Sequence, residues 1–366
     1  MVGMKDFPAD FSQPFTMSLN YIKGCHIRFF DDNIPFYQKY WRFIGMTAIA
    51  TVVLPKTKEV EILIQRLATA WKTENLSDMQ IKIKKERIKE LNFGLSVFYW
   101  GAQVAIVQNL CPQLVQTVIG KSRQNDFNFL LPFGCVYPFD HVKNWGRYLL
   151  VYVLQSYSIL KLIFLYLGAQ CLLVTLCSQL STEFALLRED IKNAVPMPNR
   201  DKRTDEDMKV DYSMTIEAMV KKHQELITLA HMLNDIFNRM VFIDLCFFAM
   251  IICFFAILLA LSHDAVNKFT YTVSVFALLT LVYLFCYYCE MLKQESGGIA
   301  EAAYENPWYN GGTHYQKTIR FIIMRAQRPC YVTSLNYVPI TLNTFTKVVS
   351  TTWSYFSLMM TMYGDT

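Results

Sequence analysis

Apolar runs of about membrane-spanning length recur along this chain, at about 91–112, 146–178, 240–262, 270–292 and 335–363. The hydrocarbon core of a bilayer is about 30 Å thick and takes about 20 helical residues to cross. Inside it every backbone amide must bond within its own segment or a closed barrel, so runs this long predict helices. A soluble domain of 366 residues buries a large core but seldom needs so many such stretches. Composition agrees: 53% of residues are hydrophobic, 15% aromatic and 18% charged. A charge at mid-bilayer costs about 2.5–3.5 kcal/mol on insertion scales, so charges should gather between the runs. They do. The expected fold is an all-α, polytopic transmembrane bundle in a lipid bilayer.

Orientation follows from where the charges gather. Lys82, Lys84, Lys85, Arg87 and Lys89 crowd the entrance to 91–112. Arg188, Lys192, Arg200, Lys202, Arg203, Lys209, Lys221 and Lys222 fill 181–239, and Lys293, Lys317, Arg320, Arg325 and Arg328 occupy 293–334. The alternate connections are poorer, with Lys121, Arg123, Lys143 and Arg147 in 113–147 and Lys268 in 263–269. By the positive-inside tendency 80–90, 181–239 and 293–334 are cytoplasmic and the carboxy terminus is outside, opposite to a G-protein-coupled receptor. The basic excess of +5 is thus topological and implies no nucleic-acid partner.

The ends carry their own expectations. Lys5, Asp6 and Asp10 interrupt any signal-peptide pattern, so residues 1–40 read as a cytoplasmic segment. The only apolar candidate before Lys82 is Phe43–Leu54, closed by Pro55 and short for a span. An even number of crossings is needed there, so one helix is expected to be missing. At the other end the last run, Tyr337–Tyr363, finishes three residues before Thr366, so little room for a carboxy-terminal effector domain is expected.

Between the runs, helical periodicity continues. Leu176, Leu180, Phe184, Leu187 and Ile191 extend 146–178 as an amphipathic helix to Pro196 and Pro198, followed by the charged loop 199–209. Met214–Ile236, 293–310 and Gln316–Ala326 resume the pattern. Such stripes should pack on one another or on neighbouring subunits.

Sites for chemistry are sparse. Cys286 and Cys289 have C-x-x-C spacing inside an apolar run and read as packing thiols. The histidines form no metal-binding pair, and no enzyme, metal or cofactor is expected. Asp244 and Glu290 are the acidic residues in or beside apolar runs, and Asp244, one turn inside, is a functional candidate by position. Cys111 and Cys135 both fall on the outer side, with spacing that leaves their pairing open. The outer halves of 91–112 and 146–178 hold Tyr99, Trp100, Gln103, Tyr148, Tyr152, Gln155 and Ser156, and 270–292 adds Tyr271, Phe276 and Tyr283. Each taken singly reads as well as ordinary packing. Tyr148, Tyr152 and Ser156, however, share one helical face.

Several segments resemble one family. Glu290, Ala303-Tyr304, Trp308-Tyr309, Met324–Pro329 (MRAQRP), Pro339–Phe345 (PITLNTF) and Ser354-Tyr355-Phe356 occur in the order found in insect odorant receptors. Leu131-Pro132-Phe133 with Tyr137–Asp140 (YPFD), and His223-Gln224 with Leu229, are similar to upstream parts of the same proteins. Gustatory receptors share the architecture but usually carry a glutamine that Thr352–Phe356 lacks, which favours the odorant branch. The resemblance covers about 60–366 and implies seven helices, of which about six are evident here. It implies a tetrameric ligand-gated cation channel formed with a co-receptor in the plasma membrane of olfactory dendrites. It divides the chain into an amino-terminal segment 1–40, helices within 41–180 around an outer loop 113–147, and anchor regions 181–239 and 293–334. A helix pair at 240–292 and a pore-lining last helix within 335–366 complete it. Small volatile odorants are expected at Tyr99, Gln103, Tyr148, Tyr152, Ser156, Tyr271 and Phe276, and the gate at Leu358, Thr361 and Met362. The alternatives left open are a gustatory-type channel and a shortened form lacking one amino-terminal helix.

Overall fold

In a computed structural model of the chain, the described residues are 7–24, 56–122, 145–194 and 215–364. Their helices are α1 (Ala9–Gly24), α2 (Thr57–Ala70), α3 (Asp78–Ser122), α4 (Trp145–Lys192), α5 (Ile216–Leu261), α6 (Ala265–Glu305), α7 (Thr313–Ala326) and α8 (Leu342–Gly364). A 3₁₀ turn at Trp308–Asn310 precedes α7, and a two-stranded hairpin, β1 (Thr333–Ser334) and β2 (Val338–Pro339), precedes α8.

Four helices exceed a bilayer. α3, α4, α5 and α6 hold 45, 48, 46 and 41 residues, which at about 1.5 Å per residue is about twice the hydrocarbon thickness. Each therefore has an apolar part and a charged part. Because consecutive helices run in opposite directions, the start of α3, the end of α4, the start of α5 and the end of α6 meet at one end of the bundle. Ion pairs there confirm it, with Arg87 of α3 and Arg188 of α4 both on Glu295 of α6, and Lys222 of α5 on Glu183 of α4.

α4 is the central post. It packs against α1, α3, α5 and α6, and its residues 167–187 are buried without interruption. A helix apolar all round belongs inside. By length and composition α4, α5 and α6 are apolar enough to cross a membrane, but their apolar stretches differ, 69% buried for α4 against 22% for α5 and for α6. The outer faces of α5 and α6 thus present apolar surface to whatever surrounds the bundle.

Several boundaries differ from the sequence expectation. The last helix begins at Leu342, five residues after Tyr337. Leu335 and Asn336 have positive φ (50° and 62°), Tyr337 N–H donates to Ser334 O at 3.0 Å, and Pro339 offers no N–H, so a tight turn forms instead. The expected connection 263–269 shrinks to 262–264, since Asp264 starts a new helix at once. The lysine-rich entrance 80–90 is the first part of α3. α1 was not anticipated; Phe11 and Phe15, four residues apart, are fully buried against α4 and Trp71. The weak run 43–54, Cys135, the segments Leu131–Phe133 and Tyr137–Asp140, and Pro196 to Lys209 lie outside the described residues.

Candidate functional site

The amino-terminal half of α4, away from the charged end, turns its aromatic face inward. Spacing by four puts Tyr148 and Tyr152 on one side, where both are buried, while Leu149, Leu150, Val153, Leu154 and Tyr157 are exposed on the other. Trp145, Tyr148 and Tyr152 form a ladder with ring centroids 5.5 and 6.0 Å apart. The Tyr148 hydroxyl donates to Thr117 Oγ1 of α3 at 3.2 Å. Gln155 is buried one turn on, and Ser156 Oγ is buried with no hydrogen-bond partner among the described residues. Aromatic walls with a few polar points are what a small, mostly apolar ligand needs.

The other expected ligand residues fall in two layers. Tyr148 meets Thr117, so in this antiparallel pair Tyr99 and Gln103 lie about 20 Å or more nearer the charged end. Leu281 of α6 reaches Gly101 there, which places Gln103 near the level of Phe276. Phe276 is exposed on the outside of α6, and Tyr99 is exposed beside Trp100, ring to ring at 5.5 Å. Tyr271 is half-buried against Phe255 of α5 at 6.2 Å. Tyr148, Tyr152 and Ser156 thus share one face spread over about 12 Å of α4, and on the same register Gln103 lies about 9 Å and Tyr99 about 15 Å beyond Ser156 toward the charged end, with Phe276 turned outward.

Among the described residues the polar contacts that hold the last helix cluster at its start, while one side of it packs on α5 and α6. Glu290 of α6 accepts the Leu342 N–H at 3.3 Å while Lys293 donates to the same carboxylate at 3.1 Å. The hairpin before it is tied to α5: Asn234 Oδ1 accepts from Thr333 N and Oγ1, both at 2.7 Å, and Asn336 Oδ1 accepts from Asn234 and Asn238 at 3.0 and 2.9 Å. Phe345 meets Tyr283 of α6 edge-on at 5.6 Å. Beyond this turn, Ser350, Thr351, Trp353, Ser354, Tyr355, Ser357, Leu358 and Thr361 are exposed, whereas Thr344 and Thr352 are buried. Met362 is in α8, its side chain outside the described set.

The charged end holds a polar network that sequence reasoning missed, because its members are far apart in the chain. Glu183 is fully buried; it accepts from Lys72 N at 3.0 Å and pairs with Lys222 at 2.9 Å, and Lys222 also donates to Ala70 O. Lys72 also pairs with Asp190 at 2.8 Å, and Gln80 bridges Asp190 to Leu186 O. Burial raises the Glu183 carboxyl against the pull of Lys222. At Asp10 burial is outweighed by hydrogen bonds from Lys84 and Trp71, and its carboxyl stays below its usual range. His223 is buried beside Phe184; burial, then the charge of Arg325, lowers it to about 4.

Comparison with known proteins adds identity to this geometry. The profile of the family described as 7tm Odorant receptor matches residues 38–353. Odorant receptor 85f of Drosophila melanogaster is 23% identical over 338 residues, covering 90% of this chain and 82% of that protein. Odorant receptor 85c of the same fly is 26% identical over 64% of this chain and 57% of its own length, and Odorant receptor Or2 of Anopheles gambiae is 24% identical over 64% and 62%. The chain thus spans less than two thirds of these two relatives. The olfactory receptor OR5 of Machilis hrabei, solved in complex with eugenol, superposes with a TM-score of 0.67 at 12% identity, covering 96% of this chain and 88% of that one. A second structure of the same receptor superposes with a TM-score of 0.67 at 13% identity, covering 96% of this chain and 87% of that one. At such identities the likeness establishes the fold alone.

Proposed function

The chain belongs to the 7tm Odorant receptor family, and from that premise we propose that it is a subunit which binds small volatile organic molecules and gates a cation pore. Its partners are the family's co-receptor, in a hetero-tetramer, the odorant and the lipid bilayer, and its place is the plasma membrane of olfactory dendrites. The charged end faces the cytoplasm and the end of α8 lies outside. We assign it no catalytic activity.

The observation that carries this reading is the surface of α8. This helix packs on α5 and α6 along one side and leaves a side of serine and threonine hydroxyls uncovered, with Leu358 near its end. Such a helix suits a ring of subunits around water, where a ring of apolar side chains gates by dewetting. Leu358, Thr361 and Met362 are our assignment for that ring.

The ligand would enter against the Tyr148, Tyr152 and Ser156 face, gaining about 25 cal/mol per Å² of apolar surface buried. Tyr271 would line the same outer layer. Tyr99, Gln103 and Phe276, nearer the charged end, would serve a second layer or an entry path. Movement of α6 reaches the pore helix through Tyr283 on Phe345 and Glu290 on Leu342. Outward rotation of α8 then separates the Leu358 side chains and wets the constriction.

The test is whole-cell current to an odorant panel with this chain alone and with the co-receptor. The expected result is odorant-dependent cation current in the pair only. Tyr152→Ala should raise the half-maximal odorant concentration about tenfold or more, equivalent to about 1.4 kcal/mol of lost contact. Leu358→Ala should raise current without odorant. Normal surface expression with no odorant current under any pairing would sink the proposal.

A further inference from the structure

The ligand face and the gate leave Asp244 without a task. It lies in the apolar span of α5, almost fully buried beside Gln170 of α4, which is equally buried. Gln170 Nε2 donates to Asp244 Oδ2, and the same nitrogen is 3.5 Å from the Tyr166 hydroxyl oxygen. Phe248, one turn along α5, meets the Tyr166 ring at 5.9 Å and closes that side. Two buried atoms of the group have no hydrogen-bond partner, Asp244 Oδ1 and Gln170 Oε1. Both are acceptors. Among the described residues no basic side chain acts on the carboxylate.

We propose that the unpartnered oxygens Asp244 Oδ1 and Gln170 Oε1 hold an alkali cation, sodium or potassium, between α4 and α5. A carboxylate in an apolar interior without a counter-charge is strongly unfavourable, and a hydrogen bond from one amide does not neutralise it. A carboxylate and an amide carbonyl are hard oxygen donors, which select hard cations over soft or borderline metals. One carboxylate balances one positive charge, which favours a monovalent ion over a divalent one. A carboxylate placed this deep, with a named partner, marks an ion or proton site by default. The bound ion would tie α4 to α5 inside the span, at a level separate from the Tyr148 face.

The experiment is melting of the purified protein in detergent, in sodium, potassium or choline chloride at equal ionic strength and without odorant. A ligand that binds only the folded state raises the melting temperature as its concentration rises. The expected result is a rise of a few degrees with sodium or potassium and none with choline. Gln170→Ala should move the midpoint of that rise to several-fold higher salt, and Asp244→Asn should flatten it. Identical melting of the unmodified protein in all three salts would overturn the site and leave a proton or a water as the occupant. Should Asp244→Asn fail to express, the salt titration of the unmodified protein and of Gln170→Ala decides. Because the readout is melting, the result stands whether or not the chain conducts.

Discussion

Asn306 illustrates how much one side chain carries at the charged end. Its amide donates to Ile191 O at 2.9 Å and Ala194 O at 2.7 Å, satisfying carbonyls that the end of α4 leaves open, and its oxygen accepts from Tyr315 at 3.0 Å. Asn306→Ala should cost about 1–3 kcal/mol, since it strands buried groups, and Tyr315→Phe about 1 kcal/mol; melting temperatures of the purified variants check both. His223 gives a pH signature. Its folded value of about 4 lies below the ordinary 6.5, so the unfolded chain takes up the proton first as pH falls. The stability it contributes is complete above about pH 6.5 and is lost on descending toward pH 4, at up to about 1.4 kcal/mol per unit. Melting between pH 7 and pH 4.5 should fall less steeply in His223→Leu. None of these residues was legible as a partner beforehand. Asn306 and Ile191 are 115 positions apart, and only three-dimensional packing joins them.

At the scale of elements, α4 and α5 are locked at the charged end by Glu183 and Lys222, with side chains 0% and 15% exposed. Removing one partner leaves an uncompensated buried charge and should cost about 3–5 kcal/mol, whereas replacing both by apolar residues should cost much less. A double-mutant cycle on Glu183→Leu and Lys222→Met, read by chemical or thermal unfolding, tests this; additive losses would contradict it. The long helices themselves were readable, because apolar runs near twenty residues leave few alternatives in lipid. Their ends were not. Hairpin strands of two residues carry no periodicity, and the turn at Leu335 and Asn336 lacks the glycine that normally announces positive φ. α1 escaped because Pro14 interrupts its pattern, although Phe11 and Phe15 were a usable signal.

For the molecule as a whole, the bundle has a buried central post, two helices with outward apolar faces, and a last helix held at its start but largely uncovered beyond it. The proposed ring of subunits would cover that uncovered side. The candidate site was only partly legible. Four-residue spacing found the Tyr148 face, but spacing within single helices could not reveal that Tyr99 and Gln103 sit several turns nearer the charged end. Depth along a bundle depends on register between helices, which Thr117 against Tyr148 fixes and no local pattern does.

If the uncovered face of α8 lines the conducting path, cysteines placed on it are open to reagents from the water side. Leu358→Cys and Ser354→Cys lie on that face, while Thr352→Cys is buried against neighbouring helices. With the co-receptor present, a membrane-impermeant thiol reagent should reduce odorant current at positions 358 and 354 and leave position 352 unaffected. Block at 352 alone, or at none of the three despite normal current, would contradict the account.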